Sequence, residues 1–78
     1  MEDKARIHAL EEMIQVVLLA IPREISAYEF YQSAARKSAT DESRELFTTL
    51  ALQEKGHEAE LKKILQNLKD ELQGIKDR

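Results

Sequence analysis

The chain has 78 residues, a net charge of −3 and no cysteine. A domain of this size supplies a small hydrophobic core and is expected to need a staple or a partner, and the lack of cysteine excludes disulfides, thiolate-bound metals and a cysteine nucleophile. Charges of both signs are interspersed without a basic block, so nucleic acid is not expected as a partner.

The N-terminal residues do not resemble a signal peptide, because they include Glu2 and Asp3 and no small-residue cleavage site follows a basic start. The most apolar run, residues 13–21, is interrupted by Gln15. It is shorter than the roughly 20 residues needed to cross a bilayer. We therefore expect a cytoplasmic protein with no membrane partner.

Helix-forming residues dominate, and no segment alternates in the manner of a strand, so the predicted fold is all-α. We predict a first helix over about residues 4–38. Its apolar stripe advances in steps of three and four, which is the spacing of one helix face. The stripe consists of Ile7, Leu10, Ile14, Val17, Ile21, Glu24, Tyr28, Tyr31 and Ala35.

Pro22 lies inside this pattern. A proline in a helix interior removes the hydrogen bond to the carbonyl four residues earlier, here that of Leu18, whereas a proline at the first position of a new helix is well tolerated. Because the stripe keeps its phase across Pro22, we prefer one long, kinked helix to two shorter ones.

A turn is predicted over about residues 38–41. Thr40 suits an N-cap, and Asp41 and Glu42 favour the positive end of a second helix over about residues 41–74, with Gly74 as its stop. The apolar stripe of this helix alternates steps of three and four, with one irregularity, or slip, at Leu72, where a second step of four follows the first. It consists of Phe47, Leu50, Glu54, His57, Leu61, Ile64, Leu68, Leu72 and Ile75.

The two helices are expected to form one domain, residues 1–78, as an antiparallel hairpin. Off-stripe apolar residues, namely Val16, Leu18 and Leu19, have no cover in a two-helix hairpin. Apolar residues around much of a helix indicate burial on several sides. We therefore expect a homodimer that completes a four-helix bundle, or a larger homo-oligomer.

Glu24, Glu54 and His57 occupy core-facing positions of these stripes, where charge is costly unless it is compensated. In a hairpin whose turn is centred near residue 40, Glu24 and the Glu54–His57 pair each lie about 24 Å from the turn. The three residues therefore share one layer of the hairpin. Two carboxylates and an imidazole at one point indicate a metal site.

A second hairpin related by a two-fold axis would double this set to four carboxylates and two imidazoles. That set matches a carboxylate-bridged two-metal site in a four-helix bundle, and its four negative charges balance two divalent cations. Oxygen donors with some imidazole suit iron or manganese better than a structural zinc. We expect two iron ions per dimer, with manganese or zinc as substitutes.

Each candidate ligand also has an interpretation without metal. Glu24 would be a rim carboxylate turned outward at Pro22, and Glu54 a charge that sets helix register. His57 would be a neutral core histidine with one hydrogen bond. We expect the neighbouring acids on solvated faces, with the alternative that a kink brings one of them in as an extra ligand; these acids are Glu29, Glu58 and Glu60.

The segment from Glu24 to Tyr31 resembles the first metal-binding helix of rubrerythrins and ferritins, in which a ligand Glu stands seven residues before a Tyr. The segment from Glu45 to His57 is similar to their second helix, which carries Glu-x-x-His. The resemblance implies a ferritin-like four-helix bundle and places Tyr31 near the metals, as a hydrogen-bond donor or an electron relay. Without that role, Tyr31 is a core aromatic residue.

This chain has two helices where those families usually have four, and it lacks the cysteine-bound iron of rubrerythrins proper. It looks like a half-ferritin, similar to the short encapsulated ferritin-like proteins that build their site between subunits. The resemblance implies a non-haem di-iron oxidoreductase, a ferroxidase or a peroxide-reducing enzyme, that acts on dioxygen or peroxide. The residues do not choose between these activities or show whether a protein shell encloses the chain.

Two alternatives remain open at this point. One is a non-catalytic dimer stapled by metal. The other is a plain helical interaction module whose buried charges set the register and exclude wrong partners.

Overall fold

A computed structural model describes residues 2–78, which form two long helices packed as an antiparallel hairpin. Helix α1 spans Glu2–Lys37 and helix α2 spans Asp41–Lys76. The described residues contain no strand, and the hairpin extends 59 Å with a cross-section of 14 by 13 Å. The predicted all-α hairpin is confirmed.

Helix α1 runs without a break through Pro22. One helix rather than two is therefore what the structure shows. Pro22 cannot donate a hydrogen bond to the carbonyl of Leu18, and Ile21 and Ile25 near it are half-buried.

The turn is closed by local hydrogen bonds. Thr40 caps α2 as predicted: its backbone is extended, with φ −124° and ψ 154°, and its Oγ1 accepts a hydrogen bond of 3.1 Å from the amide of Ser43. The guanidinium of Arg44 adds an ion pair with Asp41 at 3.0 Å. At the other end, α2 continues past Gly74, because this glycine does not adopt the left-handed conformation that stops a helix.

On α1, the predicted stripe faces α2, and all of its members are buried or half-buried. On α2, the row that faces α1 advances in alternating steps of four and three without a slip. We call this row the α2 seam. It consists of Phe47, Ala51, Glu54, Glu58, Leu61, Leu65, Leu68, Leu72 and Ile75.

The α2 stripe predicted from the sequence is therefore wrong at three positions. Leu50, His57 and Ile64 lie beside the α2 seam, and Ala51, Glu58 and Leu65 take their places. Of the three displaced residues, His57 and Ile64 are exposed and Leu50 is half-buried. Leucine, histidine and isoleucine at positions 50, 57 and 64 made the neighbouring row look more apolar than the true one. The slip at Leu72 in the predicted stripe was the sign of the wrong phase, because an unbroken alternation of steps keeps one face toward the partner.

A single hairpin buries little. Within residues 3–78, for which burial is described, the buried apolar side chains are Leu10, Val17, Ala51 and Ile75. Large apolar side chains stay exposed on several faces: Met13, Val16, Leu18, Leu19, Phe30, Leu46, Leu52 and Ile64. No helix within the described range is long and apolar enough to cross a membrane.

Gly56 lies in the middle of α2, where glycine costs about 1 kcal/mol relative to alanine. An added Cβ at Gly56 would meet no atom within 4 Å. We expect Gly56→Ala to raise the free energy of unfolding by about 1 kcal/mol, measured by urea titration. Gly74→Ala, near the end of α2, is the control and should give a smaller gain. A loss of stability in Gly56→Ala would contradict this prediction.

Candidate metal centre

Three predicted residues meet midway along the hairpin. Glu24 projects from α1, and Glu54 and His57 project from one face of α2, since residues three apart on a helix are neighbours. The Nδ1 atom of His57 lies 3.6 Å from Oε2 of Glu24 and 3.6 Å from Oε2 of Glu54. One donor atom from each residue lies within 4.8 Å of the other two.

These donors converge without satisfying one another. A separation of 3.6 Å between nitrogen and oxygen is longer than a hydrogen bond. Oε2 of Glu24 is buried and has no hydrogen-bond partner among the described residues. A buried acceptor left without a donor is costly, so a cation or a hydrogen-bond donor beside this oxygen would stabilise the cluster.

The donor set fits a metal ion. Two carboxylates and one imidazole are the ligands that iron, manganese and zinc accept, and a cation would satisfy the orphan oxygen of Glu24. The side chains of Glu24 and Glu54 are 25% and 20% exposed, whereas that of His57 is 55% exposed. The carboxylates are therefore held inside the hairpin, and the imidazole lies at its surface.

The sequence model of the rubrerythrin family matches residues 11–78, which is most of the chain. The chain belongs to the rubrerythrin family. No curated protein and no solved structure matches it significantly. The matched region contains Glu24, Tyr31, Glu54 and His57, so the resemblance seen in the two helical segments is confirmed for the family.

In this rubrerythrin-family chain, Tyr31 lies outside the three-residue cluster. It follows Glu24 by two helical turns, about 10 Å along α1. Its half-buried ring stacks on Phe47 of α2 with ring centres 6.4 Å apart and meets Phe30 edge-on at 5.5 Å. The structure thus gives Tyr31 a packing role between the helices, and a direct role in chemistry stays a prediction.

Glu58 is the residue that sequence reasoning missed. The sequence predicts a solvated face for it, but in this rubrerythrin-family hairpin its exposure is 8%, and it is the one buried charged residue within residues 3–78. Its Oε2 accepts a hydrogen bond of 2.6 Å from Nζ of Lys62, and Nζ of Lys55 lies 3.8 Å from its Oε1. The hydrogen bond from Lys62 lowers the pKa of Glu58 in spite of the opposing effect of burial.

Two sequence signals could have identified Glu58. Lysines stand three residues before it and four residues after it, and both spacings place a lysine beside it on the helix. Glu58 also follows Glu54 by four positions, as the unbroken α2 seam requires. Burial with two lysine partners satisfies its charge without a metal.

His57 and Glu58 leave Glu54 in opposite directions around α2. At about 100° per residue, His57 is turned about 60° to one side of Glu54 and Glu58 about 40° to the other. Glu24 borders a cleft of about 370 Å³ on α1 whose lining includes Val16 and Ala20. The cluster of this rubrerythrin-family chain therefore adjoins an exposed apolar surface.

We call this surface the His57 face. On α2 it includes Leu50 and Ile64, each seven residues, or about two turns, from His57. On α1 it includes Val16 and Ala20 beside Glu24, with Met13 seven residues before Ala20. Leu52, by contrast, is turned away from Glu54 by about 160° and lies on the opposite face.

Proposed function

We propose that this protein is a non-haem di-iron oxidoreductase whose metal site forms between two copies of a single hairpin domain. The observation that carries the proposal is the buried oxygen of Glu24, which lacks a hydrogen-bond partner among the described residues. It lies beside the donor atoms of Glu54 and His57 in a member of the rubrerythrin family.

Each hairpin would contribute Glu24, Glu54 and His57 as ligands. Two hairpins then supply four carboxylates, whose charge balances two divalent cations, and two imidazoles that complete the donor set. When bound, a pair of ferrous ions supplies the electrons that reduce dioxygen or peroxide. The apolar residues of the seam around Glu24 and Glu54 limit the access of water to the ligands.

The exposed imidazole supports a site shared between copies. His57 lies on the same surface as Val16, which is 59% exposed, and Ile64, which is 45% exposed. Burying that surface against a second hairpin would cover these apolar side chains and place the second set of ligands opposite the first. A four-helix bundle with a central two-metal site results.

We also propose that the hydroxyl of Tyr31 assists oxidation as a hydrogen-bond donor or an electron relay. Tyr31→Phe keeps the ring that stacks on Phe47 and removes only the hydroxyl. We expect the rate of ferrous iron oxidation to fall about tenfold, the effect of one lost hydrogen bond of about 1.4 kcal/mol, with unchanged iron stoichiometry. Tyr28→Phe is the control, because the hydroxyl of Tyr28 already accepts a hydrogen bond of 2.7 Å from Nε2 of Gln32. Equal rates in the two variants would refute a role for Tyr31.

The decisive experiment on the wild-type protein combines metal analysis with native mass spectrometry after loading with ferrous iron without oxygen. We expect about one iron per chain and a mass of two chains or a multiple of two. Admitting oxygen should then produce colour as the iron is oxidised. Removal of the metal by a chelator should lower the melting temperature, because an ion that binds only the folded state stabilises it.

The alternatives give different results in the same experiment. A dimer stapled by metal binds iron but shows no oxidation when oxygen is admitted. A plain interaction module keeps its melting temperature after chelation. Either result would overturn the proposed oxidoreductase.

A further inference from the structure

The α2 seam carries a third carboxylate, that of Glu58, next to the cluster of Glu24, Glu54 and His57. Glu54 and Glu58 are consecutive members of the α2 seam, and side chains four residues apart on a helix lie about 6 Å apart at their Cβ atoms. A glutamate side chain is long enough to cross much of that distance. Yet Glu58 does not belong to the group of converging donor atoms, which consists of Glu24, Glu54 and His57.

Two lysines engage the carboxylate of Glu58. Lys62 binds one carboxylate oxygen at 2.6 Å, and Lys55 lies 3.8 Å from the other. Lys55 is itself fixed to α1, because its ammonium lies 4.6 Å from the centre of the Tyr28 ring, within the range of a cation–π interaction. Both oxygens of Glu58 are therefore engaged on the side of α2 that is turned away from His57.

We propose that Lys55 and Lys62 set the number of ligands in the metal site. By pairing with Glu58 they keep its carboxylate from the ion, so that each chain contributes two carboxylates and one imidazole. This inference rests on the proposed function. Its physical basis is that a buried carboxylate must be paired with a positive charge. In wild-type protein the lysines supply that charge, and without them the nearest bound cation does.

The charge of the site follows from this pairing. Six carboxylates in a dimer would exceed the charge of two divalent ions, whereas the four that remain after Glu58 is neutralised match it. Removing the lysines should therefore strengthen the binding of cations, since it adds an uncompensated carboxylate close to the ion. Methionine at both positions keeps the aliphatic stem of lysine and removes its charge.

The test is calorimetric titration of the metal-free dimer with Mn²⁺. We expect Lys55→Met/Lys62→Met to bind Mn²⁺ at least about tenfold more tightly than wild type. Adding Glu58→Gln to these two substitutions should return the affinity to the wild-type value, because the freed carboxylate is gone. A change in the stability of the variants would not produce this gain and loss of Mn²⁺ affinity, because the affinity is measured on folded protein. Circular dichroism confirms that each variant is helical before the titration.

A matched control separates this effect from a change in total charge. Lys63→Met/Lys69→Met removes two exposed lysines of the same helix, and we expect a smaller gain in affinity than in Lys55→Met/Lys62→Met. If Lys55→Met/Lys62→Met does not fold, the single substitution Lys62→Met is used for the test, because Lys62 makes the shorter contact with Glu58.

Equal affinities in the lysine variant and its control would overturn the inference while leaving the proposed function in place. Tighter binding that persists after Glu58→Gln would also overturn it, because the gain would not come from Glu58. Absence of Mn²⁺ and iron binding by the wild-type protein would overturn the proposed function and the inference together.

Discussion

Replacement of Glu54 or His57 by alanine is expected to abolish the oxidation of ferrous iron. Each substitution removes one of the three donor residues of each chain, and therefore two of the six in the site that two chains would share. Bound iron should fall well below one per chain, and the oxidation rate should drop by about a hundredfold or more, since loss of a hydrogen-bond partner of a ligand already costs ten- to a hundredfold and loss of the ligand itself should cost more. Oxygen consumption and metal analysis of the same samples measure both effects.

Two variants control for the loss of an imidazole or a carboxylate elsewhere. His8→Ala removes the other histidine, whose side chain is 74% exposed and lies 3.1 Å from Glu12. Glu60→Ala removes an exposed acid near the site in sequence. Both should oxidise iron at the wild-type rate. Wild-type oxidation in Glu54→Ala and His57→Ala would show that the cluster is not the site of the reaction.

The stability of the metal-free protein should respond differently from its activity. Glu54→Ala removes a carboxylate that repels Glu24 across the hairpin, so the melting temperature of the apo-protein should stay close to that of wild type or rise. A buried charge that lacks its partner is a source of instability. A variant that is stable without metal and inactive with it separates the ligand role of Glu54 from any role in folding.

A charge on the His57 face is expected to separate the two copies and stop oxidation in the same step. Val16→Lys and Ile64→Lys each place an ammonium where the second hairpin would pack, and burial of an unpaired charge costs several kcal/mol. We expect the mass of one chain by native mass spectrometry and an oxidation rate as low as that of Glu54→Ala.

Leu52→Lys is the matched control for these variants. Leu52 is 65% exposed, comparable to Val16 at 59%, but it lies on the opposite face of α2. This variant should keep the wild-type mass and rate. Dissociation by Leu52→Lys together with an intact Val16→Lys dimer would place the interface on the wrong face for a shared site.

The fold and the three clustered residues were accessible from the sequence because both depend on local spacing. The apolar stripe on α1 keeps its phase through Pro22, and Thr40 marks the start of α2. With the turn located, equal rise in the two helices places Glu24 level with Glu54 and His57. No long-range information was needed to bring these residues together.

The face that α2 turns toward α1 could not be predicted from the sequence in the same way. Two adjacent rows on this helix are apolar enough to pack, one through Leu50, His57 and Ile64 and the other through Ala51, Glu58 and Leu65. Residue hydrophobicity favours the first row, but contact with α1 selects the second. The burial of Glu58 depends on that choice and on its two lysines, and both are properties of the packed hairpin.

The thin interior of the hairpin has a consequence for how the protein behaves at different concentrations. Few apolar side chains are buried within residues 3–78 of one hairpin, so if two hairpins pair as proposed, association would supply much of the folding free energy. The protein's resistance to heat and to proteases should then rise with the amount of protein present, by mass action. Abundance, and not only amino-acid sequence, would set how long each molecule survives.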